Sequence, residues 1–132
     1  MAQLVKGPRY EYLIEALRGA IVSSMFDLGG EATCERLQIV LDVLRLEPAL
    51  GGPVQDAREH LEQLLATGDE EVVAARHCRE AGLAIQTPLG ARLEMMTEEE
   101  RTALSEVLMT LLVECVREDT RGTMARLSAR SA

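Results

Sequence analysis

The sequence predicts an all-α fold of five main helices with one small β-hairpin, in a single domain. Three observations carry this. The aromatic fraction is 2%, with one Phe, two Tyr and no Trp. The core must therefore be aliphatic, whereas strands draw on β-branched and aromatic residues. Apolar residues recur at spacings of three and four along most of the chain, the period of a helix with one buried face. Glycine and proline fall mainly between those periodic runs, where they punctuate helices.

Each element follows from its own pattern. Gly7-Pro8 closes an N-terminal tail over residues 1–8. A first helix is expected from about Arg9 to Leu28, with Ile14, Leu17, Ile21, Met25 and Leu28 on its apolar face. Gly29-Gly30 ends it, since glycine accepts the left-handed cap conformation. A second helix is expected from about Glu31 to Leu46, with Cys34, Leu37, Leu41 and Leu44 in a stripe broadened by Val40. Pro48 forbids its continuation. Pro53 suits the first position of a third helix carrying Val54, Ala57, Leu61, Leu64 and Leu65. Asp69 is the expected N-cap of a fourth helix, Glu70 to Ala81, with Gly82 as its C-cap.

The period then changes. Thr87-Pro88-Leu89-Gly90 fits a type I turn between two short, partly alternating runs. This predicts a small β-hairpin over 83–96, with a short helical turn as the alternative. Thr97 and Glu100 form a capping box. A last helix follows to about Arg117 or beyond. Leu104, Val107, Leu108, Leu111, Leu112, Cys115 and Val116 make its wide apolar face. From Glu118 the sequence turns polar, and residues 118–132 are expected to be a frayed or disordered tail. The first and last helices are expected to pack together, within a subunit or between subunits.

The 132 residues suit one domain, large enough to bury a core without disulfides or a structural metal. A net charge of −8 repels phosphate backbones and anionic membranes at long range. No apolar run approaches the length of a membrane span. Cys34, Cys78 and Cys115 are widely spaced and odd in number, and no signal peptide precedes them. The expectation is an intracellular, cytoplasmic protein with reduced thiols.

Catalytic chemistry finds no footing. The sequence lacks a Gly-rich phosphate loop, H-E-x-x-H, C-x-x-C and G-x-S-x-G. No catalytic residue, cofactor or metal ligand set is therefore assigned. Asp56 and His60 stand four apart on the third helix, beside Glu59 and Glu62. They read as a solvated charged face in preference to a weak metal site. His77 and Cys78 are adjacent and so point apart on a helix. Cys78 reads as a small buried residue, with a redox role beside Arg76, His77 and Arg79 as the alternative. Glu98-Glu99-Glu100 is explained by helix capping and the helix dipole.

One arrangement carries a resemblance. The second to fourth helices, the segment ending Arg79-Glu80-Ala81-Gly82-Leu83, the tip Thr87-Pro88-Leu89-Gly90 and the capped helix at Thr97-Glu98-Glu99-Glu100 follow one another in sequence. Their order resembles that of a winged helix-turn-helix over about residues 31–116, as in bacterial multidrug-type repressors. The resemblance implies that the fourth helix enters the major groove. Arg76, His77 and Arg79 would then contact nucleic acid, with Arg92 on the wing. The charge departs from that pattern. Between Pro53 and Met96 eight acidic residues oppose four basic ones, on the segment that would face the phosphates.

Three functions are therefore weighed. The first is a non-catalytic regulatory or adaptor module that binds a protein partner as a homodimer, through the faces of the first and last helices. The second is a winged-helix transcriptional regulator. The third is a small-ligand-binding helical protein or enzyme.

Overall fold

The computed structural model describes residues 10–26, 30–47, 50–84 and 86–131. Among them are six helices and no strand: α1 (Tyr10–Phe26), α2 (Gly30–Leu46), α3 (Gly52–Leu64), α4 (Asp69–Glu80), α5 (Pro88–Met95) and α6 (Glu98–Ser131). The first helix pairs with α2, and α6 packs against α1 and α3. The short α5 bridges α2 and α4. The expected tail 1–8 and the helix-ending residues Leu28, Gly29 and Pro48 lie outside the described residues.

The β-hairpin is replaced by α5, and with it goes the wing that a winged helix-turn-helix requires. The reason is local. A type I turn and the first turn of a helix share the αR conformation at their central residues, so Thr-Pro-Leu-Gly serves either. Thr87 is extended, as a residue before proline should be, and Pro88 takes the first helical turn, where no N–H is needed. The Thr87 hydroxyl accepts the Gly90 N–H at 3.0 Å. The Ala91 N–H then reaches the Thr87 carbonyl at 3.0 Å and sets the helical register. Leu89, Gly90 and Ala91 are buried, so packing selects the helix over the turn.

Other boundaries follow the sequence closely. At α4 the N-cap is Gly68 rather than Asp69, and Glu71 accepts the Gly68 N–H at 2.8 Å. At its other end Gly82 has φ of 69°, the left-handed conformation that glycine enters without a Cβ penalty. Leu83 N–H reaches the Cys78 carbonyl at 2.9 Å and Gly82 N–H that of Arg79 at 3.1 Å, a Schellman motif. At α6 the capping box is present: Glu100 N–H to the Thr97 hydroxyl at 3.1 Å and Thr97 N–H to the Glu100 carboxylate at 3.0 Å.

The core is aliphatic. Leu13 and Leu17 of α1, Leu37 and Leu44 of α2, Leu61 of α3, and Leu108 and Leu111 of α6 are fully buried. Two predicted stripes are displaced. On α1 the buried line is Leu13, Leu17 and Ala20, while Met25 is 73% exposed. On α6 Val116 is 45% exposed, although Cys115 beside it is fully buried. The expected contact of the first and last helices occurs within one chain, and most of the two faces goes into the core.

The last helix continues well beyond Arg117. Its 34 residues extend roughly 50 Å at the α-helical rise. The segment from Glu118, expected to be frayed or disordered, is helical to Ser131. Where it leaves the core, Glu118 lies so close to Gly51 that a Cβ there would meet its carboxyl carbon at 3.0 Å. Tyr10 closes the same corner by accepting the Gly51 N–H at 3.2 Å.

The division of α6 into two faces is open to test. Leu111→Ala should cost about 2–5 kcal/mol, as large-to-small changes in closed cores do. Val113→Ala, two residues away, should stay within about 0.5 kcal/mol in dilute protein. Urea unfolding followed by circular dichroism measures both.

Candidate functional site

The four residues expected to read nucleic acid do not form one surface. Arg76, His77 and Arg79 are exposed on α4. Arg92 is turned inward, and its side chain is only 18% exposed. Its Nε donates to the Leu64 carbonyl at 3.0 Å, and its terminal nitrogen pairs with the Glu100 carboxylate. It therefore ties the end of α3 to the start of α6 from its seat on α5. An arginine expected on the wing is instead a clamp between helices.

The titratable groups that depart from ordinary behaviour are structural. Glu100 is held below its ordinary 4.5, first by the Thr97 N–H and then by Arg92. Glu71 is held below the same value, first by the Gly68 N–H. Burial pushes the Tyr10 hydroxyl up, against the lowering effect of the Gly51 N–H. Burial, with Glu114 and Glu118 nearby, pushes the Cys115 thiol up to about 12. Each belongs to a cap or to the core, and none lies in a cleft with a nucleophile and a base.

Two hollows exist. One of about 330 Å³ lies between the end of α1 and the α5–α6 junction, with Ser24, Thr33, Glu98, Arg101 and Ser105 on its walls. The other, about 430 Å³, is an open groove between α3 and α6. It brings Asp56 and His60 beside Glu106 and Glu114. Among the described residues no group of three or more His, Cys, Asp or Glu side chains is placed to hold a metal ion. Cys78 is half-buried and Cys34 approaches the Thr87 hydroxyl at 3.5 Å; all three cysteines are free thiols.

The feature that stands out is the outer face of α6. Met109 (47% exposed), Val113 (43%), Val116 (45%), Met124 (59%) and Leu127 (50%) fall on one line, with Thr120 between them. At about 100° per residue this line lies opposite the buried face of Leu104, Leu108, Leu111 and Cys115. It runs about 27 Å along the helix axis. Single exposed apolar residues are ordinary, but here five share one side of one helix, with Thr120 and Thr123 between Val116 and Leu127. The sequence held the signal in the unusual width of the last helix's apolar face. Placing Val116 in the core stripe and reading the polar segment from Glu118 as a frayed or disordered tail hid it.

Comparison with known proteins adds no relative: no family model matches the chain, and neither does any curated protein or solved structure. No helix among the described residues is long and apolar enough to cross a membrane, so the line on α6 is not part of a span.

Two outcomes follow from the site's electrostatics. Glu71 and Glu100 titrate lower in the folded chain than unfolded. Their contribution is therefore complete above the ordinary Glu range and is lost as pH falls through the folded values. Glu100→Gln should flatten the fall in urea midpoint between neutral pH and about pH 3, measured by circular dichroism. Separately, Cys34 and Cys78 should react with a thiol reagent in the native protein, while Cys115 reacts only on unfolding. Labelling counted by mass spectrometry with and without denaturant checks this.

Proposed function

We propose that this chain is a non-catalytic interaction module that docks a protein partner along the outer face of α6. The observation that carries the proposal is the apolar line from Met109 to Leu127, on the side of the helix facing away from the core. An aliphatic stripe on one helix face is suited to a second helix or an apolar groove, the mode in which residues three and four apart act as anchors. The acidic balance of the chain supports a protein partner over a phosphate backbone. Cytoplasmic placement belongs to the same reading, since three free thiols suit a reducing compartment. The clamp at Arg92 and the aliphatic core give the module a rigid base from which α6 projects.

A photo-cross-linking residue at Val113 tests the proposal in cells. The expected result is a discrete protein adduct that is absent when the same residue replaces Glu70 on exposed α4. Adding Val116→Glu and Leu127→Glu should remove the adduct while leaving the circular dichroism spectrum unchanged. No adduct at Val113 overturns the proposal, as does turnover of a substrate by the purified chain.

A further inference from the structure

We infer that the occupant of the α6 outer face is a second copy of this chain, paired antiparallel over residues 116–127. The inference rests on the reading of that face as the interaction surface.

Spacing comes first. Val113, Thr120 and Leu127 are seven residues apart, and so are Met109, Val116 and Thr123. Together they make the alternating three-and-four seam of a two-stranded coiled coil. Cover comes next. From Asp119 to Ala129 every residue of α6 is exposed except half-buried Gly122. A helical stretch this short is marginal in water without tertiary packing, so its apolar side calls for a partner helix.

Charge decides the direction and the occupant. Asp119 and Arg126 flank the seam one heptad apart, on the same side and with opposite sign. Neither joins an ion pair among the described residues, whereas Glu114, Arg117, Glu118 and Arg121 are paired within α6. A parallel pair of helices would set Asp119 across from Met124 and leave both charges unmatched. An antiparallel pair with Thr120 facing Thr123 of the second copy also sets Val116 against Leu127. The same register brings Asp119 beside Arg126 of the second copy, and two-fold symmetry makes the contact twice. The face is thus complementary to itself in one orientation and one register. Thr123 enters the seam with its hydroxyl already donating to the Asp119 carbonyl at 3.0 Å. Because the seam lies opposite the core, the two globular bodies sit at opposite ends of the paired helices.

Sedimentation velocity of the purified chain over a wide concentration range tests this. The expected result is a monomer–dimer equilibrium. Asp119→Arg or Arg126→Asp alone sets like charges together and should raise the dimer dissociation constant about tenfold. The double variant restores opposite charges and should return it to within about threefold of the original. Both positions are exposed, so the circular dichroism melt of dilute protein should not move. A chain that stays monomeric at every concentration overturns the inference, and so does a double variant no tighter than the single ones. If the chain is monomeric but Val113 cross-links to a different protein in cells, self-pairing falls and the interaction face stands. If it is monomeric and Val113 gives no adduct, both fall.

Discussion

The burial of one face of α6 is the constraint on which the rest of this molecule depends. With one Phe and no Trp in the sequence, Leu108, Leu111 and Cys115 are covered mainly by neighbouring aliphatic side chains. Helices α1 and α3 supply that cover from the two sides, and α2 closes over α1. Aliphatic side chains meet well when helical ridges interdigitate, which is why an aromatic-poor chain resolves into stacked helices. The positions of α1 and α3 follow from where they must stand to seal this face.

A second, polar device fixes the remaining helices. Arg92 leaves α5, meets the exposed carbonyl at the end of α3 and pairs with Glu100 at the start of α6. Glu100 also caps its own helix through Thr97. One carboxylate therefore starts a helix and anchors its neighbour. The pair is part-buried, so its main effect is to fix where the three helices meet. From its place on the helix α5, Arg92 reaches the α3–α6 junction.

The same long helix that organises the core also carries the functional argument. Its buried face ends near Cys115 and Glu118, where Tyr10 and Gly51 close the corner. Its outer face continues as an apolar line to Leu127. A helix that is core on one side and apolar again on the other is asymmetric in a way that solvent alone does not favour. A docking role reconciles it with the absence, among the described residues, of any metal-holding cluster or buried unpaired side-chain group.

The primary sequence by itself determined the all-α class, five of the six described helices and several of their ends. Helical periodicity, the Thr97–Glu100 cap, Gly82 and Pro53 are local signals, and local hydrogen bonds answer to them directly. Three matters were decided only in the tertiary structure. Thr87-Pro88-Leu89-Gly90 is compatible with a turn or a helix start, and burial of Leu89 and Ala91 chose the helix. The orientation of Arg92 depended on a carbonyl 28 residues earlier in the chain, a proximity that no local pattern encodes. On α6, leucines and valines three and four apart look alike on both faces. Which of them is core and which is exposed was settled by where α1 and α3 came to rest.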